Sequence, residues 1–204
     1  GGRNVSQAIL HAAVHIDAVE LDANMARLVR EHASSLYDRP DVALHIAEAR
    51  GFVAASESQW DLIQIPLLDA IAGSGMHGLN ESHLYTVEAF ETYLAHLRPD
   101  GWLSITRWLR LPPRDSLRLF TTALAAIDHP DAAERLVLLR GMTTTTLLVK
   151  RDAVSEADMA RLRAFAEARS FDIAYAPGLA QEAANRFNVL DAAHFFEATQ
   201  ALAG

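Results

Sequence analysis

Segments with helical periodicity alternate with strand-like segments from residue 5 to about residue 150, and this alternation constrains the fold more than any other feature. The predicted helices cover residues 5–13, 24–34, 51–55, 86–97 and 114–127, and the predicted strands cover residues 15–21, 42–46, 60–65 and 102–106. Two further β-rich runs flank Gly141 and Met142 and predict a hairpin. The pattern predicts an α/β fold with a doubly wound, mostly parallel sheet and an antiparallel C-terminal hairpin.

The last fifty or so residues differ from this pattern. Ser155 and Asp158 are typical of a helix N-terminus, and the helix that they open is predicted to run to about Arg169. An alanine-rich stretch ends the chain. We therefore expect an α/β domain over residues 1–150 and an α-rich appendage over residues 151–204.

Composition excludes several classes of function. The chain has 204 residues and a formal net charge of −8, which argues against a nucleic-acid partner because phosphate binding needs a basic face. It contains no cysteine, so disulfides and thiolate zinc sites are excluded, and this fits a cytoplasmic location. Nine histidines are present, but none falls in a spacing that predicts a metal site.

Two glycines, Gly1 and Gly2, directly precede the first predicted helix, where backbone N–H groups can approach a ligand. Glu20 ends the next predicted strand, eighteen residues after Gly2. Nucleotide-binding α/β folds place the carboxylate that holds the ribose hydroxyls at about this distance. Asp22 is the neighbouring candidate, and Glu48 follows the next strand. The alternatives are a plain turn at the glycines and solvated acids at the strand ends.

Several longer segments resemble spermidine/spermine-synthase-like proteins within the S-adenosylmethionine-dependent methyltransferase superfamily, in particular an uncharacterised bacterial branch. The segments are HIDAVELD, LYDRPDVALHIAEARGF, WDLIQIPLLD, LNESHLYTVEAFETYLAHLRPDGWLSITRW and TLLVKR. The resemblance covers roughly residues 1–175 and implies a Rossmann-like domain. It also implies S-adenosylmethionine or its decarboxylated form as cofactor, and transfer of a methyl or aminopropyl group.

For the cofactor, the resemblance implies a role for five residues. Gly1 and Gly2 would end the glycine-rich loop under the methionine part, and Glu20 would bind the ribose hydroxyls. Glu48 with Ala49 would replace the Asp-Gly pair that contacts adenine. For the two glycines, Glu20 and Glu48 these assignments agree with the positions that the residue pattern favours, whereas Ala49 is implied by the resemblance alone.

On the acceptor side the match is incomplete. Gln64 to Asp69 occupy the segment that reads Asp-Ser-Ser-Asp-Pro in true aminopropyltransferases, and Pro66 stands where the first aspartate, the proposed base, belongs. Asp69 falls on the second aspartate and is the candidate catalytic residue. Glu81 and Tyr85 are the other candidates to face a small-molecule acceptor such as a polyamine, although Tyr85 also suits a half-buried helix start.

Alternatives to a transferase remain open. Pro66, and Asn4 in place of an acid of the glycine loop, also suit a non-catalytic nucleoside-sensing or interaction domain. A nicotinamide-dependent oxidoreductase shares the acid-after-glycine spacing but does not predict the terminal hairpin. The resemblance is compatible with a homodimer and with attachment to a membrane domain in a longer protein.

The resemblance also predicts a strand before Gly1 that would lie between the strands ending at Glu20 and Ile65. We expect the chain taken alone to have an incomplete cofactor pocket, or to fill this place with a rearranged or partner-supplied strand.

Overall fold

A computed structural model of the protein describes residues 2–32, 36–67 and 83–204. The chain divides into two compact units, Gly1–Glu57 and Ser58–Gly204, called here the first and the second unit. The division into domains over residues 1–150 and 151–204 stays a prediction.

Over residues 2–32 and 36–57, the first unit is a two-stranded parallel sheet with three helices. Its elements are α1 (Arg3–Leu10), β1 (Ile16–Glu20), α2 (Ala23–His32), β2 (Val42–Ile46) and α3 (Ala49–Ala55). The strands pair in register from Ile16 opposite Val42 to Glu20 opposite Ile46. Ile16, Tyr37 and Val42 are buried in its core, and apolar side chains of α1 pack against them. The two strands therefore end together, which brings the residues that follow them to one edge.

The second unit is built on a five-stranded sheet. Within the described residues its elements are β3 (Trp60–Ile65), α4 (Val87–Ala95), β4 (Leu97–Trp108), α5 (Arg114–Ile127), a 3₁₀ turn (Ala132–Arg135), β5 (Leu136–Arg140), β6 (Thr144–Lys150), α6 (Glu156–Arg169), β7 (Asp172–Tyr175), a second 3₁₀ turn (Gln181–Ala183) and α7 (His194–Ala203). The strand order is β3-β4-β6-β5-β7. β3 and β4 are parallel, and the other three pairs are antiparallel. The predicted α/β class and its terminal hairpin are confirmed, and β7 extends the antiparallel part.

The core of the second unit lies around β4 and β5. Every residue of β5 is buried, as is usual for a strand covered on both faces. Phe90 and Tyr93 of α4 and Phe120 of α5 are fully buried against this sheet. Among the described helices, none is long and apolar enough to cross a membrane.

The boundary between α4 and β4 differs from the prediction. Leu97 continues the apolar stripe of the helix in sequence, yet it lies in β4 opposite Trp60. The next pair is Leu62 with Trp102, so the Pro99-Asp100-Gly101 segment forms an irregularity within the strand and does not end the helix. A Cβ on Gly101 would lie 2.9 Å from the carbonyl oxygens of Arg98 and Trp60, which explains why glycine occupies this position. Strand pairing, a tertiary property, overrides the helical pattern here.

β1 and β3, the strands that end at Glu20 and Ile65, each have one strand partner in the part of the chain that the structure describes: β1 pairs with β2, and β3 pairs with β4. The strand expected between them stays a prediction.

Candidate functional site

Gly2 lies at the N-terminus of α1 in a conformation that favours glycine. Its φ is +70°, and its carbonyl accepts the backbone N–H of Ser6 at 3.0 Å. A Cβ at this position would lie 2.8 Å from Cδ2 of Leu36 and 3.2 Å from Cγ1 of Val29. The first turn of α1 leaves N–H groups without helical partners, which suits an anionic or polar ligand group. Gly1 lies outside the described residues.

Glu20 lies at the carboxyl end of β1, as the spacing predicts. Its carbonyl accepts the N–H of Ala47, and its carboxylate accepts the N–H of Asp22 at 3.3 Å. Asp22 instead caps the start of α2, because its carboxylate accepts the N–H of Asn24 at 2.8 Å. Of these two strand-end acids, Glu20 is therefore the better candidate for a ligand group.

Tyr37 is a residue of this site that the sequence did not indicate. Its side chain is only 6% exposed and lies in the core beneath β1 and β2. The pKa of its phenol is raised, mainly by burial and next by the negative charge of Glu20. A hydrogen bond with the Gly2 backbone acts in the opposite direction and lowers the pKa. The structure therefore gathers Gly2, Glu20 and Tyr37. Tyr37 lies in the segment LYDRPDVALHIAEARGF that carries the resemblance, but the resemblance assigns it no role, so only its position between α2 and β2 could have suggested it.

Glu48 acts as the N-cap of α3. Its two carboxylate oxygens accept the N–H groups of Arg50 at 2.9 Å and Gly51 at 2.7 Å. Ala49 is the first residue of that helix. A carboxylate oxygen has more than one lone pair, so these bonds leave room for a further donor. The adenine contact assigned to Glu48 and Ala49 stays a prediction, but a structural role for Glu48 is established.

In the second unit, Gln64 is exposed on β3 and lies opposite Ser104 of β4. Pro66 directly follows β3. Asp69 and Glu81, the candidate catalytic and acceptor-binding acids, lie outside the described residues. The catalytic role of Asp69 therefore stays a prediction.

Tyr85 lies just before α4 and contacts a cation. The guanidinium carbon of Arg107 is 4.7 Å from the centroid of the Tyr85 ring. The hydroxyl oxygen of Tyr85 is buried. Arg107 is the penultimate residue of β4, in a segment that the sequence identified without giving this residue a role. The pair combines an aromatic face with a fixed positive charge.

A groove of about 670 Å³ lies along residues 111–113 and α7. Nε2 of His194 is 2.8 Å from Oδ1 of Asp191 at its rim, and this hydrogen bond lowers the pKa of Asp191. The Asp191 side chain is 86% exposed, so this pair lies on the solvated surface. None of the predicted site residues that the structure describes lines this groove. The candidate site is therefore defined by side chains at strand ends.

Within residues 2–32, 36–67 and 83–204 no group of three or more metal-ligating side chains could hold a metal ion. His15 and His45 both lie near Asp17, at 3.4 and 2.8 Å. Their partner is a single carboxylate, so the arrangement is a hydrogen-bonded cluster on the sheet.

Comparison with solved structures identifies the class of fold. A probable spermidine synthase from Corynebacterium glutamicum ATCC 13032 matches with a TM-score of 0.57 and 20% identity, over 78% of this chain and 56% of that one. A spermidine synthase in complex with the transition state analogue AdoDATO matches with a TM-score of 0.53 and 17% identity, over 77% and 52%. Human methyltransferase-like protein 13 in complex with SAH matches with a TM-score of 0.55 and 16% identity, over 79% and 74%.

The chain therefore has the Rossmann-like fold of spermidine synthases and S-adenosylmethionine-dependent methyltransferases. It spans about half the length of the two spermidine synthases. No protein-family model matches it.

Proposed function

We propose that this chain is a transferase domain that binds S-adenosylmethionine or a closely related nucleoside, including the decarboxylated form. The observation that carries the proposal is the position of Glu20 at the carboxyl end of β1, where its charge helps to raise the pKa of the buried Tyr37 phenol, which is hydrogen-bonded to the Gly2 backbone at the start of α1. The shared fold supports it, because open α/β sheets bind ligands at the carboxyl ends of their strands.

The residues present suit such a nucleoside. A carboxylate at Glu20 can accept hydrogen bonds from two ribose hydroxyls, and the N–H groups of the first turn of α1, which follows Gly2, can donate to a polar group of the ligand. Glu48 would be the adenine contact, with its remaining acceptor capacity directed at an amino group. The nucleoside would supply an electrophilic carbon on sulfur.

Transfer of a methyl or aminopropyl group forms a bond between the acceptor atom and that carbon. The carbon–sulfur bond breaks with its electron pair going to sulfur, and the acceptor then loses a proton. The chain has to position the acceptor, and a protonated amine would also need a base. Pro66 cannot act as that base. Asp69 and Glu81 are the acids that we propose on the acceptor side, with Gln64 and Tyr85 as contacts.

Isothermal titration calorimetry tests nucleoside binding in the full-length protein. We expect S-adenosylmethionine, its decarboxylated form or methylthioadenosine to bind, and Glu20→Gln to weaken binding by about tenfold or more, since it replaces a charged acceptor. Glu31→Gln is the matched control, because Glu31 lies on the exposed surface of α2 and pairs with Arg27. Absence of binding by all three compounds would refute the proposal.

A second candidate function is a non-catalytic nucleoside-sensing or interaction domain, which Pro66 favours. A transferase is distinguished from a sensing domain by incubating the protein with S-adenosylmethionine and candidate acceptors, polyamines included. The thioether product is measured by mass spectrometry. Binding without turnover of any acceptor would support the sensing domain.

A further inference from the structure

The groove along residues 111–113 and α7 is mostly apolar and lies beside an exposed apolar loop. Its apolar lining comes from the loop between β4 and α5, from α5 and from α7: Leu111, Pro112, Pro113, Leu117 and Ala198. Leu111 is 51% exposed, and Pro112 next to it is exposed as well. Exposed apolar side chains that adjoin an apolar groove with a polar rim are typical of a surface that binds another protein.

The side of this groove formed by the loop and α5 is basic. Arg114 and Arg118 are exposed on α5, and each directly follows a residue of the apolar lining. Residues four apart lie on the same face of a helix, so these two arginines form a row beside the groove. The acid of this segment, Asp115, pairs with Arg110, whose Nε lies 3.7 Å from its Oδ2. Three arginines and one acid leave this side with a net positive charge.

The opposite side, formed by α7 and the residues before it, is acidic. Asp191 and Glu197 both line the groove and are exposed. Asp191 is hydrogen-bonded to His194. Oε1 of Glu197 accepts Nε2 of Gln181 at 3.4 Å, and this uncharged partner leaves the charge of the carboxylate in place. The groove therefore separates a basic side from an acidic side.

A surface with an apolar centre and opposite charges on its two sides is complementary to itself. A two-fold axis that lies in an interface exchanges the two sides, so the basic side of each copy faces the acidic side of the other. An axis beside Leu111 brings the exposed loops of both copies together, each against the groove of the other. Charge complementarity thus favours a second copy of this chain over a partner of uniform charge.

We propose that the groove and the adjoining loop form the interface of a symmetric homodimer, with Leu111 at the centre and Arg114 of each protomer facing Glu197 of the partner subunit. This arrangement has an apolar centre and a charged rim, as protein interfaces commonly do. The rim charges fix the register of the two copies, and the apolar centre supplies most of the affinity. The inference locates an interaction surface in the second unit and does not depend on nucleoside binding.

Sedimentation equilibrium of the full-length protein measures the dissociation constant of the dimer. We expect the wild type to have twice the mass of one chain at micromolar concentration. Leu111→Asp should weaken association by about thirtyfold or more, because it buries an unpaired charge at the centre of the interface. Met142→Asp is the matched control, since Met142 is 82% exposed in the same unit but does not line the groove, and it should leave the dissociation constant unchanged.

Charge reversal tests the pairing of Arg114 with Glu197 across the interface. Arg114→Glu alone places carboxylates opposite each other, and Glu197→Arg alone places guanidinium groups opposite each other, so each variant should associate with itself more weakly than the wild type does. When the two variants are mixed, both pairs become attractive again. We therefore expect the mixture to form a heterodimer that is tighter than either variant with itself.

The mixing experiment distinguishes an interface from an effect within one chain, because a contact inside each chain is not restored by a second variant. Glutamate at position 114 also suits the first turn of α5, so this variant is expected to fold. Urea denaturation of each variant measures its stability. If Leu111→Asp is itself unfolded, the two charge variants provide the test.

The inference is overturned if the wild type is monomeric, if folded Leu111→Asp associates like the wild type, or if Met142→Asp weakens association as much as Leu111→Asp does. It is also overturned if the mixed charge variants associate no more tightly than each variant alone. A monomer that binds the nucleoside contradicts only the interface, whereas a dimer that binds no nucleoside contradicts only the proposed function.

Discussion

Arg140 and Asp172 form a buried ion pair that anchors the C-terminal segment. Nη2 of Arg140 lies 2.9 Å from Oδ2 of Asp172, and the two side chains are 3% and 0% exposed. Asp172 also accepts the backbone N–H groups of Arg186, Phe187 and Asn188. Burial alone would raise the pKa of Asp172, but these hydrogen bonds outweigh it and the pKa is lowered.

Replacing Asp172 with Asn should destabilise the second unit strongly. The substitution leaves the Arg140 guanidinium buried without its counter-charge, and such a loss typically costs about 3–5 kcal/mol. Urea denaturation followed by tryptophan fluorescence measures it, because all three tryptophans (Trp60, Trp102 and Trp108) lie in this unit. Asp152→Asn is the control, since Asp152 is exposed, and should change stability by about 0.5 kcal/mol or less. Equal stability of both variants would contradict the role of the pair.

The pair of Lys150 with Asp158 predicts a dependence of stability on pH. Nζ of Lys150 lies 2.6 Å from Oδ2 of Asp158, whose carboxylate also accepts the Ser155 hydroxyl. Burial opposes ionisation, but the bonds from Lys150 and Ser155 prevail and lower the pKa of Asp158 from 3.8 to about 2. Because the folded-state pKa is the lower one, the stabilisation is complete above the unfolded value and is lost as the pH falls from about 4 to about 2.

Asp158→Asn should therefore lower the free energy of unfolding by about 2 kcal/mol at pH 7 and by little at pH 2. The measurement is urea denaturation of wild type and variant from pH 7 to pH 2, with the difference between them isolating Asp158 from the other carboxyl groups. A difference that stays constant over this range would show that the pair does not control the titration.

Gly2→Ala tests the close packing at the candidate nucleoside site. Gly2 and Gly178 both have positive φ, at +70° and +66°, but only Gly2 has neighbours that a Cβ would meet. Both alanine variants carry the backbone strain of about 1 kcal/mol. We expect Gly2→Ala alone to weaken S-adenosylhomocysteine binding, by about tenfold, because the side chains of Leu36 and Val29 must shift away from the new Cβ. Calorimetry of the two variants gives the comparison, and equal affinities would argue against a role for Gly2.

Tyr37→Phe tests whether the phenol contributes to the nucleoside site. Removing its hydroxyl should weaken S-adenosylhomocysteine binding by about threefold to tenfold, because the group lies near both Gly2 and Glu20. The pKa of Tyr37 is raised by burial, so the phenol is protonated at neutral pH and its effect should not change between pH 6 and about pH 8.

The control for this variant is Tyr175→Phe. Tyr175 is also buried, and its hydroxyl donates to the carbonyl of Ala133 at 3.2 Å within the second unit. We expect Tyr175→Phe to reduce stability by about 1 kcal/mol and to leave the affinity for S-adenosylhomocysteine unchanged. If both variants bind alike, Tyr37 has only a packing role.

Local signals predicted most of the elements well. The strands at Val42–Ile46 and Trp60–Ile65 and the helix at Arg114–Ile127 have the predicted limits, because each has a clear period and a nearby stop signal. Thr86 caps α4 as predicted, accepting the N–H of Ala89 at 3.2 Å. The predicted end of α4 at Leu97 was wrong, because an apolar residue at this position fits both the apolar stripe of a helix and the buried face of a strand.

The candidate site was predictable only in part. Glu20 was found from its spacing to Gly2, since the length of a βα unit fixes how far apart such residues fall in the sequence. Tyr37 belongs to no spacing rule, and Arg107 had an ordinary strand-end position. Tyr37 comes near Glu20, and Arg107 comes near Tyr85, only through the packing of the folded chain.

The α/β class, the limits of most helices and strands, and the position of Glu20 follow from the amino-acid sequence, because periodicity, caps and loop lengths are local properties. Which distant residues meet depends on how the chain packs. Arg140 and Asp172 are thirty-two residues apart and become neighbours through the pairing of β5 with β7. Hydrogen bonding between strands has no local signature, so these contacts, and the Arg107–Tyr85 pair with them, follow only from the folded chain.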